Sequence, residues 1–115
     1  MGVVIEDVGE GVARAHLELD KKHKNPNGDP HAATIVALAD TACGYGSFLN
    51  LPSGARGFTT IELKTNFIRS VREGTLHCEA RLVHGGRTTQ VWDATITDPD
   101  GRTVALFRCT QFLLR

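Results

Sequence analysis

Apolar and polar positions alternate along most of this chain, with one long exception. Through VVIEDVGEGVARAHLEL (residues 3–19), Ala13, Ala15, Leu17 and Leu19 fall on one face and Arg14, His16 and Glu18 on the other. A period of two is that of half-buried strands, and the glycines between the two arms make the segment a hairpin. DKKHKNPNGDP (20–30) has the composition of a polar loop, and its KKHK run reads as solvated, with contact to a phosphate as the alternative. The exception follows. From His31 to Leu49 the only formally charged side chain is Asp40. Asp29 is placed to cap a helix whose first position is Pro30, where the missing N–H costs nothing. The helix is predicted to run to about Asn50, and LPSGARG ends it.

Four alternating stretches come next. FTTIELKTNFI sets Ile61, Leu63 and Phe67 opposite Thr60, Glu62 and Lys64, and TLHCEARLV turns Leu76, Cys78, Ala80 and Leu82 inward. HGGR leads into TTQVWDATIT and DPDG into RTVALFRCTQFLL, so tight turns join the last three strands into an antiparallel meander. The order is β-β-α-β-β-β-β in a single domain over residues 1–115. A curved antiparallel sheet wrapped around one central helix buries that helix most economically, which makes the fold α+β.

Unrolled at 100° per residue, the helix puts Ile35, Leu38, Ala42, Tyr45 and Leu49 opposite Asp40, as the face for the sheet. Around Asp40 lie Ala33, Val36, Ala37, Cys43, Gly44 and Ser47, a small and uncharged face. A helix apolar all round is buried all round, so this second face is expected to meet a second subunit. Asp40 would sit partly desolvated there, with its pKa raised; the plainer alternative is a structural ion pair with an arginine such as Arg69. Gly44 and Gly46 each cost roughly 1 kcal/mol against Ala in a helix, which suits close approach of another backbone or a ligand. His31 precedes Asp40 by about 13.5 Å of helical rise and lies half a turn out of phase. The two can serve one small substrate only from different subunits across a two-fold axis. The free N–H groups of Ala32 and Ala33 form a ready oxyanion cradle.

Composition narrows the chemistry. Thirteen basic and thirteen acidic residues cancel, which excludes an obvious nucleic-acid or anionic-membrane surface. Cys43, Cys78 and Cys109 are odd in number and widely spaced, as free thiols in a reducing compartment are. Neither they nor the five histidines show metal-ligand spacing. The N-terminus has no signal-peptide pattern, and Glu6 stands where a myristoylation motif needs Ser or Thr. No Gly-free apolar run of spanning length stands out. A cytoplasmic protein without metal or cofactor is expected. P-loop, GxGxxG, HExxH and GxSxG patterns are missing from the sequence.

The chain resembles the hotdog-fold thioesterases over nearly its whole length, and among them the phenylacetate-degradation type of acyl-CoA thioesterase. The most specific part is an Asn, three residues to a Gly, three to a His, then nine to an acidic residue within LAD: Asn25, Gly28, His31 and Asp40. TTIELKTNFIRSV and GRTVALFRCTQFLL are similar to the family's strand after the helix and its final strand. The resemblance implies hydrolysis of an aromatic or medium-chain acyl-CoA by a homodimer, paired into a tetramer. In it Asp40 would activate water or attack the thioester carbonyl. Thr60 would position that water from the other subunit's strand. Asn25 and the Ala32 N–H would polarise the thioester oxygen, and His31 would orient the loop or lie by the departing sulfur. A thiolate leaves readily, so one base and an oxyanion hole suffice. For the nucleotide end of CoA the candidates are Gly86, Arg87 and Thr88 in HGGRTT, a turn exposing backbone N–H groups beside a guanidinium fork; a plain hairpin turn with a surface arginine is the alternative. Trp92 and Phe67 read as core or interface residues, with the lining of an acyl pocket as the alternative.

The chain departs from the family at Ala32 and Ala33, where two glycines are usual, and at Ser70, where Pro is common and the change is taken as neutral. It also begins at the first hairpin, where many relatives carry a helix, which would open one wall of the acyl pocket. The Ala-Ala pair favours a rival reading, a non-catalytic hotdog protein that binds acyl-CoA or a protein partner; the retained Asn25, His31 and Asp40 oppose it. A hydratase of the same fold would need a His shortly after Asp40, and none is there.

Overall fold

The computed structural model describes residues 2–115. Strands β1 (Val3–Gly9) and β2 (Val12–Glu18) form the expected hairpin, and a single 3-10 turn covers Lys21–His23. Helix α1 spans Ala32–Leu49, followed by β3 (Gly57–Phe67), β4 (Thr75–Gly85), β5 (Thr89–Thr97) and β6 (Thr103–Leu114). The six strands make one antiparallel sheet in the order β1-β2-β4-β5-β6-β3, and α1 packs against its concave face. The predicted inward residues hold: Ala13, Leu17, Leu76 and Ala80 are fully buried, with Trp92, Ile96 and Val104 beside them. Small residues are paired across the sheet centre, Ala13 with Ala80 and Ala15 with Cys78, and this lets the helix lie close.

Three expectations need correction. The helix begins at Ala32, with His31 as an N-cap that makes no side-chain capping bond. Lys24 and Pro30 form a bridge that keeps the chain extended through Pro30, so Asp29 cannot cap. The Asp29 carboxylate instead accepts from the Ser70 hydroxyl at 2.8 Å and pairs with Arg72 at 3.6 Å.

The KKHK run is not simply solvated. His23 is 2% exposed inside a capping box with Asp20, and its carbonyl accepts the His31 N–H at 2.9 Å.

The helix is also rotated from its predicted setting. Its buried stripe is Thr34, Ile35, Leu38, Ala39, Ala42, Cys43, Gly46 and Ser47, whereas Tyr45 and Leu49 are 56% and 59% exposed. Trp92 explains the rotation. A Cβ on Gly46 would stand 2.6 Å from its indole, so only the small-residue stripe fits over that ring. By length and mean hydropathy (1.3 over 18 residues) α1 could cross a bilayer; here it is the core helix of the sheet.

Strand β3 forms one edge of the sheet, and its apolar Ile61, Leu63 and Phe67 are exposed. A bulge between Thr60 and Glu62 breaks its register with β6.

Candidate active site

The rotation of α1 leaves a groove between the helix and the start of β3. Asp40, Thr41, Gly44, Tyr45 and Phe48 line it from the helix, Phe58 and Thr60 from β3, and Gln111 from β6, around about 510 Å³. Asp40 is the sole ionisable carboxylate among these residues. Its walls are mostly apolar, so burial raises its pKa above the ordinary value of 3.8. Among the described residues its carboxylate has no ion pair, and the expected alternative pairing with Arg69 does not form. Arg69 lines a separate cleft of about 300 Å³ at the helix start, with Pro30, Ala32, Ile35 and residues 67–71. A half-buried carboxylate with no ion-pair partner in its own chain is chemically suited to act as a base or a nucleophile.

Thr60 lines the groove of its own chain, beside Asp40. Its hydroxyl donates to Gln111 Oε1 at 2.5 Å. Gln111 is not among the residues that the sequence motifs single out. The signal was present: a polar residue at an inward position of β6, between Cys109 and Leu113.

The predicted oxyanion cradle is open. The Thr34 N–H closes on the His31 carbonyl at 2.9 Å, and the Ala32 and Ala33 N–H groups have no backbone acceptor among the described residues. His31, Ala32 and Ala33 are all exposed, so the two methyl groups that replace glycine hydrogens stand at the surface. Asn25 organises the loop before them: its Oδ1 accepts the Asn27 N–H at 3.0 Å and the Asp29 N–H at 3.1 Å. Gly28 has φ +86°, and a Cβ there would stand 2.9 Å from the Arg72 guanidinium, which accounts for the glycine in the motif. His31 and the rest of the 25–31 loop are not among the residues that line Asp40's groove.

At the far end, Gly86 N–H donates to the Thr89 carbonyl at 2.9 Å, so one expected phosphate donor is already engaged. Arg87 and Thr88 are exposed. Arg115 donates to the Arg87 carbonyl at 2.6 Å, so a second guanidinium stands beside the turn. Neither arginine has a carboxylate partner among the described residues.

Cys43 lies one turn beyond Asp40 but offers no thiolate: its hydrogen bond to Cys109, then burial, drive its pKa far up. Burial, aided by Glu79, pushes Cys78 to about 12. No cluster of His, Cys, Asp or Glu able to hold a metal occurs among the described residues.

One long helix embraced by a six-stranded antiparallel sheet is the hotdog fold, the architecture of a class of thioester hydrolases. The chain belongs to the thioesterase superfamily, whose family model matches residues 27–105. A 1,4-dihydroxy-2-naphthoyl-CoA hydrolase of Listeria monocytogenes is 31% identical over 96% of this chain and 89% of its own. A Deinococcus radiodurans relative is 36% identical over 76% of this chain, which spans only 55% of that relative's length. Among solved structures, a Streptococcus mutans protein with acetyl CoA bound matches 98% of the chain and 89% of its own, at 29% identity and TM-score 0.88. The PaaI protein from the phenylacetic acid degradation operon of Escherichia coli matches 98% of the chain and 80% of its own, at 27% identity and TM-score 0.88. A Staphylococcus aureus thioesterase at 26% identity matches with TM-scores of 0.91 and 0.92, covering 96% and 98% of this chain and 92% and 93% of its own. It was solved as two variants, in which a glutamate or a glutamine fifteen positions before it is replaced by alanine.

Proposed function

We propose that this chain hydrolyses an acyl-CoA thioester to free acid and CoA, at a site completed by two copies of the chain. The observation that carries the proposal is Asp40, an unpartnered, half-buried carboxylate in an aromatic-walled groove. Asn25 and Asp40 are fifteen positions apart, the separation of the two residues replaced in the Staphylococcus aureus thioesterase. The acetyl CoA on the Streptococcus mutans relative supports a CoA ester as substrate.

The fold suggests how the second copy contributes. Within one chain, Asp40's groove opens beside the start of β3, at Phe58 and Thr60, while Ala32's cleft opens beside its end, at Phe67 and Ile68. Antiparallel pairing of two β3 edges about a two-fold axis lays the start of one strand on the end of the other. Asp40 of one copy then faces the helix start and the 25–31 loop of its partner. The same pairing covers the exposed Ile61, Leu63 and Phe67 and satisfies an eleven-residue edge that is otherwise open. A tetramer, implied by the family resemblance, would use the convex face, where Arg14–Asp7 and Arg108–Asp93 ion pairs make a polar surface.

In this reading Asp40 takes a proton from water, the resulting hydroxide adds to the thioester carbon, and the oxyanion is held by the partner's Ala32 N–H and Asn25. Collapse breaks the C–S bond, and the proton held on Asp40 passes to the departing thiolate, with His31 orienting the loop beside it. Thr60 Oγ, as an acceptor, helps place the water from Asp40's own chain. The nucleophilic route instead joins Asp40 to the acyl group as an anhydride, with CoA thiolate leaving, and water then opens the anhydride at the Asp40 carboxyl carbon; one turnover in ¹⁸O-water labels the acid in the first case and Asp40 in the second. Arg87 and Thr88 take the nucleotide phosphates, with Arg115 beside them.

Thiol release from a panel of phenylacetyl-, hydroxybenzoyl-, medium- and long-chain acyl-CoAs tests the activity. Asp40→Asn is expected to lower kcat by roughly 10²- to 10⁴-fold with the fold intact. Wild-type protein that binds these esters without hydrolysing them would support the non-catalytic reading instead.

A further inference from the structure

Among the described residues, Asn25 is held at every polar atom but one. Its Oδ1 accepts the N–H groups of Asn27 and Asp29, its own N–H donates to the Asp29 carbonyl at 2.8 Å, and its carbonyl accepts the Gly28 N–H at 2.9 Å. Both lone pairs of Oδ1 are therefore taken, and the amide cannot turn over without giving up two bonds. Nδ2 makes no hydrogen bond among the described residues and is the end left for a ligand. That is the setting an oxyanion donor needs, with the oxygen occupied and the N–H₂ available.

A turn rich in Asn and Gly does not keep one shape by itself. This one is fastened from elsewhere in the chain. The Ser70 hydroxyl donates to Asp29 Oδ1 at 2.8 Å, and Arg72 Nε stands 3.6 Å from the same oxygen. The Arg72 guanidinium also donates to the Asn27 carbonyl. Asn27 and Asp29, whose N–H groups hold the Asn25 amide, are thus the two residues that Ser70 and Arg72 hold in turn. Ser70 also lines the cleft at the helix start beside Ala32, so the fastening ties the turn to the second oxyanion donor. The Asp29 and Arg72 side chains are 43% and 65% exposed, and exposed contacts of this kind add little to global stability. Their effect is local order. We infer that Asp29, Ser70 and Arg72 form a strap that positions Asn25 for catalysis, with none of the three touching the substrate. This rests on the proposal that Asn25 and the Ala32 N–H hold the oxyanion.

The test is a kinetic comparison of Ser70→Ala, Asp29→Ala, their double variant and Ser70→Thr on whichever acyl-CoA the wild type turns over fastest. Each alanine variant is expected to lower kcat by roughly tenfold, because small misplacements of a catalytic group cost rate steeply. KM and the urea midpoint should stay near the wild-type values, since the charge on the oxyanion develops only in the transition state. The double variant should be no slower than Asp29→Ala, because the two changes break one contact. Ser70→Thr keeps the hydroxyl and should restore kcat. An unchanged kcat in both alanine variants, or a loss that Ser70→Thr shares, overturns the inference. Absence of wild-type turnover on every ester would defeat the hydrolase reading separately. Amide hydrogen exchange would then decide the strap. Faster exchange at Asn27 and Asp29 in Ser70→Ala supports it, and unchanged exchange contradicts it.

Discussion

Asp40 shows at the scale of one residue how stability and function pull apart. Burial raises its folded pKa above the unfolded value, so the folded state holds the proton more tightly. Its contribution favours folding below the unfolded value and is lost as pH climbs through the folded one; above both, the ionised carboxylate is a net cost. Asp40→Asn is therefore expected to melt at a higher temperature than the wild type at neutral pH, though its turnover is lost. Catalysis runs the opposite way. In the proposed role, as base or as nucleophile, Asp40 must be ionised, so kcat/KM should rise with pH through a midpoint above 3.8, the ordinary value for Asp. A titration of activity between pH 4 and 8 checks this. Gly44 offers a second test at this scale. A Cβ there meets Phe58 at 3.7 Å, an ordinary contact, so Gly44→Ala should fold at least as well as wild type while narrowing the groove. Its KM should rise for bulky acyl groups and change little for acetyl-CoA.

At the scale of elements, the contrast with Gly46 is direct. Its Cβ would lie 2.6–3.1 Å from three Trp92 ring atoms, so Gly46→Ala should lose roughly 1–3 kcal/mol to overpacking in spite of better helix propensity. Urea unfolding of the two alanine variants separates packing from propensity. The same Trp92 explains what could be read from the sequence and what could not. Strand alternation is local, so Ala13 to Leu19 and Leu76 to Ala80 gave the correct inward faces, and the loneliness of Asp40 needed no structure to be noticed. The setting of α1 is not local. Helical periodicity placed Tyr45 and Leu49 under the sheet, but the volume of an indole contributed from β5, far along the chain, turned the small-residue stripe inward instead. The helix start failed for a like reason: the Lys24–Pro30 bridge overrode the capping preference of Asp29. Asn25, Gly28 and His31 were legible as a spacing, whereas Gln111 required knowing that β6 and β3 meet beneath the groove.

For the whole molecule, the edge of β3 is the central feature. β1, at the other edge, is seven residues long, bulged, and carries Glu6 and Asp7, features that discourage pairing. β3 is longer and presents Ile61, Leu63 and Phe67. Replacing Ile61 and Leu63 together by Glu is expected to give a folded monomer in sedimentation, with turnover reduced at least as far as in Asp40→Asn. Retained dimerisation would place the interface elsewhere.

The composite site is tested most directly by mixing two inactive variants, Asp40→Asn and Asn25→Ala, after dissociation and reassociation. If Asp40 of one copy works with the 25–31 loop of the other, half of the randomly formed dimers are mixed and each of these has one intact site, so about a quarter of wild-type turnover returns. If both residues serve the same chain's site, every site in the mixture lacks one of them, and no activity returns.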